Sequence, residues 1–436
     1  AFLAVQSFLR TPHIVCLGLD GLRFLHPVHK GDTIRVDSSI VYAGTSGSGV
    51  DITLSLLPDG PVAASCFVSF VHIDEATGRA VPHGVTLAEL PPEMARRQKP
   101  PGSLGLLEEQ AKKAFLAWGC FPGRFAPKHI VFAADNGICR SGAVAQLSEI
   151  TYMQSCHMVE GTSAVTCFCR CNQIPWEVVD VGIDSPDAVG LDYKIARGTK
   201  DFSREPAMTE EELRQAFAAG RERVLAAKRD GYNFLSFGEM GIGNTTTSAA
   251  VLMAIAPRDA ASLVGYGSSR GNFRLLLHKR DLIRDALARY GPHISSAADA
   301  LRYVGGFDLA ALASAMCTCA RERIPFYIDG FITAAALAAA VQLMPQVSRF
   351  ALPSHMSREA GMSVALHAAG IDDYDVPLWA NLSLGEGTGA VLAVTLLRSM
   401  LYAVDHMATL DGINADAEER HAERAGKGES YYGTSH

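Results

Sequence analysis

The sequence predicts an α/β fold, a parallel sheet covered by helices, preceded by a separate α+β segment over residues 1–86. Three observations predict it. Beyond residue 104, short apolar strands alternate with helical stretches. These strands are apolar throughout, which is the pattern of strands buried on both faces. Before residue 87 the order is different: one helical run, then several strand-like runs with turns between them.

Taken in order, AFLAVQSFLR reads as a helix. Strand-like runs follow: HIVCLGLDGLRFL, TIRVDSSIVYAG, VDITLSLL and ASCFVSFVHID. Turns at Lys30-Gly31-Asp32 and Pro58-Asp59-Gly60 separate some of them. Residues 87–101 are a linker by composition, with Pro91, Pro92, Pro100 and Pro101 beside Arg96, Arg97 and Lys99. The second region spans residues 102–410. Its strands are HIVFAAD, WEVVDVGI, NFLSF, PFYID and RFALPS. Its helices include SLGLLEEQAKKAFLAW, EEELRQAFAAGRERVLAAK and FITAAALAAAVQLM. In such a sheet, ligands belong at the carboxyl ends of the strands. Residues 411–436 are charged, contain Gly and Ser, and are poor in aliphatic side chains, so they read as a disordered tail.

Composition narrows the function. The 436 residues are 48% hydrophobic and 19% charged, which suits globular domains with cores of their own. A formal net charge of -7 argues against a nucleic-acid partner. Ten cysteines are too few for a disulfide scaffold of this size and point to a reduced, cytoplasmic setting. Cys167, Cys169 and Cys171 alternate, as do Cys317 and Cys319, but neither set has zinc-binding spacing, so no metal is expected. The most apolar run, around Ala334 to Met344, is too short to span a bilayer. No basic segment or cleavage site marks a signal peptide, and the opening on Ala1 suggests that a longer precursor was cut.

Four stretches carry candidate chemistry. In FLSFGEMGIGNTTTSAAVLMAI a strand runs into a glycine-rich turn and then a helix, which makes an anion site from backbone N–H groups. The spacing Gly238-x4-Gly243-Asn244-Thr245 mimics a triphosphate-binding loop, but Asn244 stands where the lysine should be, so a single phosphate fits better. Glu239 would be repelled by that phosphate and should face a hydroxyl or a cationic ring. In NLSLGEGTGAVLAVTLL, Gly385, Gly387 and Gly389 flank Glu386 at a helix start. Burial raises the pKa of such a carboxyl and the helix dipole lowers it, a balance suited to a general base. DGFITAAALA places Asp329 and Gly330 at a strand end. SHMSREAGM places His355, Ser357 and Glu359 after another strand. Without a nucleophile elbow it reads as a polar loop lining a site, not as a hydrolase triad.

Together with PPGSLGLLEE, VFAADNG, KIARGTKDF, PAMT, LHK and GGFDLAAL, these motifs resemble one family in order and cover nearly all of residues 99–400. That family is the nicotinate-nucleotide:dimethylbenzimidazole phosphoribosyltransferases. The resemblance implies a Rossmann-like parallel sheet with a small helical domain and a homodimer. It also implies transfer of phosphoribose from nicotinate mononucleotide to an aromatic lower-ligand base of a cobamide, with no cofactor or metal. By the same resemblance Glu386 is the base that takes the proton of the incoming azole. Glu239 is the second active-site glutamate and favours the cationic ribosyl centre. Lys279 contacts the phosphate, with Gly241, Gly243, Asn244, Thr245, Gly385 and Gly387 around the nucleotide. Val144, Tyr152 and Met240 fall in the base pocket. The earlier wording LRFLHPVHKGDTIRV, AGTS and VSFVHIDEATGRAVP resembles the acyl-CoA thioesterase branch of the hotdog fold. That match covers only part of such a domain and omits the part holding the family's acid, so no acyl-CoA hydrolysis is expected.

This chain departs from the family's pattern in places. Asp-His-Gly becomes Asp135-Asn136-Gly137, and a G-x-G-T-G turn becomes Gly265-Tyr266-Gly267-Ser268-Ser269. Val144 replaces a pocket serine and Tyr152 falls near the pocket glutamine, which predicts that dimethylbenzimidazole is not strongly preferred. The alternative is a non-catalytic subunit that binds nucleotide and assists a partner. Retention of both glutamates favours the enzyme.

Overall fold

The computed structural model describes residues 14–29, 32–43, 47–56, 62–75, 77, 79, 103–119, 122–256, 263–265, 267 and 272–408. The expected first helix, the 87–101 linker and the 411–436 tail lie outside these residues. The chain divides into two compact units, one of residues 1–105 with 407–436 and one of Leu106–His406.

In the first unit the strands are β1 (Ile14–Phe24), β2 (Ile34–Ala43), β3 (Gly47–Leu56) and β4 (Val62–His72). They form an antiparallel sheet in the order β1-β4-β3-β2. Its buried apolar side chains include Val50, Ala63, Val68 and Phe70.

The second unit opens with α1 (Leu106–Trp118) and β5 (Pro127–Ala134). Then come α2 (Glu149–Glu160), α3 (Ala164–Cys171), β6 (Trp176–Gly182) and the short β7 (Leu191–Asp192). The chain continues through α4 (Glu210–Arg229), β8 (Phe234–Met240), α5 (Asn244–Ile255), α6 (Phe273–Tyr290) and α7 (Ala297–Val304). It ends with α8 (Phe307–Glu322), β9 (Phe326–Ile328), α9 (Phe331–Leu343), β10 (Ala351–Pro353), α10 (Met362–Ala368) and α11 (Thr388–His406).

All strand pairs in this unit are parallel, in the order β10-β9-β8-β5-β6-β7. The chain starts in the middle of the sheet and winds outward through β6 and β7. It then returns beside β5 and winds the other way through β8, β9 and β10. This is Rossmann-like winding, and the reversal between β5 and β8 opens a crevice at their carboxyl ends.

Alternation along the strands serves both faces. Ile130, Phe132, Val179, Val181, Leu235 and Phe237 join one large core with residues of α4, α5, α8 and α9. Small side chains let these helices approach closely: α9 buries Ala334 to Ala340 without a gap. The PAMT motif starts α4, because Thr209 accepts from the Glu212 amide and the Glu212 carboxylate accepts from the Thr209 amide.

Two expectations need adjusting. The alternating Cys167, Cys169 and Cys171 lie on helix α3, where Cys167 and Cys171, four apart, are exposed on one face and Cys169 is buried on another. Helix α11 is long and apolar enough to cross a membrane. Instead, it buries Val391, Val394, Leu397, Met400 and Leu401 within the unit, as a core helix does.

Candidate active site

At the carboxyl ends of the strands lies a cavity of about 360 Å³. The segments that follow β5, β8, β9 and β10 contribute to its wall. Ile150 and Gln154 come from α2, residues 239–245 follow β8, Asp329 to Thr333 follow β9, and His355, Ser357 and Glu359 follow β10. Residues 383–386 close the wall before α11. Backbone pairing pins this last stretch: the amides of Met356 and Arg358 donate to the carbonyls of Leu378 and Leu382.

The two glycine motifs meet because side chains are missing where they touch. A Cβ on Gly238 would lie 2.1 Å from the Glu386 carbonyl oxygen, and one on Gly385 would lie 2.8 Å from Glu239 Oε1. The Gly238 contact is with backbone, so glycine is required there, whereas at Gly385 it is the left-handed φ of 85° that favours glycine. Glu386 has a φ of 65°, between Gly385 at 85° and Gly387 at 92°. Three successive residues in the left-handed region, the middle one not glycine, mark a backbone held in place by its surroundings.

Glu386 is 5% exposed. Its Oε1 accepts a hydrogen bond from Gln154 Nε2 at 2.6 Å, whereas Oε2 is buried and makes none. Burial pushes its pKa above the ordinary carboxylate value, against the opposing pull of Gln154 and the Val165 amide. The result is a buried carboxylate with one oxygen held by Gln154 and a raised affinity for a proton.

Glu239 is also buried, and its Oε2 accepts from the Asn244 amide. The same Asn244 nitrogen lies 3.2 Å from Asp308 Oδ2. Asn244 therefore does not stand in for a phosphate-binding lysine: its amide lies between two carboxylates. Burial and the neighbouring Asp308 push Glu239 up to about 8, and burial pushes Asp308 up to about 6. Without a ligand, Glu239 is mostly protonated at neutral pH. A cation placed beside it would draw that proton off, and the electrostatic role expected of it then becomes available.

The turn after β8 is built as the sequence suggests. Gly243 has a φ of 92° and starts α5, and a Cβ on Gly241 would lie 2.4 Å from the Ala134 carbonyl oxygen. Gly241, Gly243, Asn244 and Thr245 all line the cavity, as do Met240 and Gly385. Lys279, 1% exposed, stands behind this wall on α6, with Nζ 3.4 Å from Thr245 Oγ1. Burial lowers its pKa, opposed by Glu359 and Cys139. Gly387 does not line the cavity. It packs on His129, where a Cβ would lie 2.1 Å from the ring.

Two residues expected in the base pocket do not line this cavity. Neither the exposed Tyr152 nor the half-buried Val144 is among the residues that line it. For Tyr152 the physical reason is helical phase; Val144 precedes α2. Ile150 and Gln154, four apart, share the inward face of α2, and Tyr152 between them turns away. Helical spacing from Ile150 was the signal that could have found Gln154.

Several further polar groups support the wall. Asp329 Oδ1 accepts from the amides of Gly389 and Ala390 and so caps α11. His355 Nδ1 lies 3.1 Å from Ser354 Oγ and 3.7 Å from Asp329 Oδ1. Asn136 Oδ1 accepts from Thr247 Oγ1, tying the end of β5 to α5.

Known proteins match this arrangement. A family model described as phosphoribosyltransferase matches residues 84–414. A nicotinate-nucleotide–dimethylbenzimidazole phosphoribosyltransferase from Clostridium perfringens is 35% identical over 321 residues, 73% of this chain and 88% of that protein. One from Cupriavidus necator is 37% identical over 330 residues, 74% of this chain and 93% of that protein. The solved structure of such an enzyme from Thermus thermophilus covers 73% of this chain and 94% of its own, with 34% identity and a TM-score of 0.67. An acyl-CoA hydrolase from Bacillus cereus covers only 19% of this chain at a TM-score of 0.17, too little to assign the first unit a fold. With the motifs in order, the sheet wound as described and both glutamates in one cavity, the chain belongs to the nicotinate-nucleotide–dimethylbenzimidazole phosphoribosyltransferase family.

Proposed function

We propose that this chain transfers the phosphoribosyl group of nicotinate mononucleotide to dimethylbenzimidazole or a related base, giving an α-riboside 5'-phosphate and nicotinate for cobamide nucleotide-loop assembly. The carrying observation is Glu386, buried in the cavity with Oε1 held by Gln154 and Oε2 without a hydrogen bond.

The bond between C1' and the pyridinium nitrogen breaks, and its electron pair stays on that nitrogen, which becomes neutral. The leaving group thus needs little acid help. The imine-type ring nitrogen of the base forms the new bond to C1', and the other ring nitrogen passes its N–H proton to Glu386, which leaves the product ring neutral. Glu239, once ionised beside the cationic nucleotide, stabilises charge at the ribosyl centre. The backbone amides after β8 and Lys279 hold the phosphate.

The same proposal takes residues 102–410 as the transferase domain, residues 1–86 as a partial hotdog-like segment and residues 87–101 as a linker. It places the protein in the cytoplasm as a homodimer. The described cysteines are free thiols, which fits a reducing compartment. Exposed apolar side chains such as Leu147, Met153, Trp379 and Leu384 fit a subunit interface.

Incubation with nicotinate mononucleotide and a panel of benzimidazoles, purines and phenols, with products read by mass spectrometry, tests the reading. Equimolar nicotinate and riboside phosphate are expected. Nucleotide binding without turnover on any base would select the non-catalytic subunit instead.

A further inference from the structure

His129 lies in the middle of β5 with no exposed surface. A histidine inside an apolar parallel strand needs a partner for each ring nitrogen, because an unpaired buried polar group is costly. It has both. Nε2 is 3.1 Å from the carbonyl oxygen of Glu386, and Nδ1 is 2.9 Å from Ser236 Oγ. Ser236 is its registered neighbour on β8.

These contacts fix the tautomer. A carbonyl oxygen can only accept, so Nε2 carries the hydrogen and donates it. Nδ1 is then an acceptor, and the Ser236 hydroxyl donates to it. Burial pushes the ring down to about 4, so it stays neutral and keeps one arrangement across the working pH range. The ring does not line the cavity. It reaches the site only through the backbone of Glu386, the residue whose left-handed φ most needs support. The ring also fills the space beside Gly387, so the loop rests on it.

We propose that His129, oriented by Ser236, is a positioning residue that holds the backbone of Glu386 and thereby aims its carboxylate into the cavity. This rests on the reading of Glu386 as the base. It predicts that side chains keeping a donor at the Nε2 position keep catalysis, and those that do not lose it.

The test compares His129→Gln with His129→Asn in the full chain. The glutamine amide can reach the Glu386 carbonyl. The asparagine amide is one bond shorter and reaches only toward Ser236. We expect His129→Gln to keep kcat within about fivefold of wild type and His129→Asn to lose about 10²-fold, the scale of a misplacement of about one ångström. The KM for nicotinate mononucleotide should change little in either. Equal kcat for the two variants, or a loss in His129→Asn that appears only in KM or in the folded fraction by circular dichroism, would overturn the proposal. Should His129→Asn fail to fold, Ser236→Ala decides. It removes the hydroxyl that orients the ring at little cost in volume and should lower kcat several-fold with KM unchanged, and an unchanged kcat would again overturn the proposal. Comparing Glu386→Gln with His129→Asn, each as a single variant, separates the two ideas. If Glu386→Gln alone is fully active, the base reading fails. If it is inactive and His129→Asn costs nothing in the wild-type background, only the positioning inference fails.

Discussion

Replacing Gln154 by leucine should change Glu386 before it changes binding. Gln154 Nε2 donates to Glu386 Oε1 at 2.6 Å, a bond that favours the charged carboxylate. Burial already raises the Glu386 pKa, and this hydrogen bond opposes that rise. Removing it therefore moves the titration further up, and the base is ionised less at any acidic pH. A hydrogen bond to a charged group contributes about 1.5–3 kcal/mol. At about 1.4 kcal/mol per decade, the ionised fraction on the acid side falls about ten- to hundredfold. On the alkaline side both proteins carry the carboxylate, and only lost orientation remains. Leucine nearly matches glutamine in size, so the cavity keeps its volume. The assay is kcat/KM for nicotinate mononucleotide across about pH 5–9 with one fixed base, where titration of the substrates cancels in the ratio of wild type to variant. The ratio should grow steadily toward acid. A ratio that stays flat across the range would refute the link between Gln154 and the charge on Glu386.

Three further outcomes follow from the same site. Glu239 holds its proton up to about 8 in the folded chain, so the stability it contributes is full below its ordinary value and is lost as pH rises toward about 8. Glu239→Gln should flatten the decline in Tm over that window, and parallel wild-type and variant curves would contradict the shift. Lys279→Met should weaken binding of nicotinate mononucleotide by about tenfold or more while leaving the dephosphorylated riboside unaffected, as titration calorimetry would read. Equal losses for both ligands would remove Lys279 from the phosphate site. Val144→Ser should leave base preference within about threefold of wild type, whereas Ile150→Ser should reorder it, measured as competition between two bases. A shift toward dimethylbenzimidazole from Val144→Ser would restore the pocket expected from the sequence.

Much of this was legible in the sequence because local signals and fold agree. HIVFAAD, WEVVDVGI and NFLSF are apolar on both faces, and they become β5, β6 and β8 at the centre of the sheet. GEMGIGN and GEGTG carry their own geometry, since Gly243, Gly385 and Gly387 adopt the left-handed backbone that glycine permits. The base pocket was less legible. Around residues 141–154 motif matching gave the neighbourhood but not the helical phase, and one residue of phase turns a side chain through about 100°. The Asn244 clamp could not be read at all, because Asp308 comes 64 residues later and meets it only in the folded chain. His129 left a weak trace, a titratable side chain within an apolar strand, whose partner Glu386 lies 257 residues away.

The central claim is that Glu386 takes the proton of the incoming base. Its most direct test is single-turnover formation of the riboside phosphate by Glu386→Gln, in a protein shown by calorimetry to bind nicotinate mononucleotide as wild type does. Glutamine keeps the shape of the side chain and removes the basic oxygen. The account predicts a rate lower by about 10²–10⁴-fold, the usual loss on removing a general base. A rate within about threefold of wild type, with nucleotide bound normally, would contradict it.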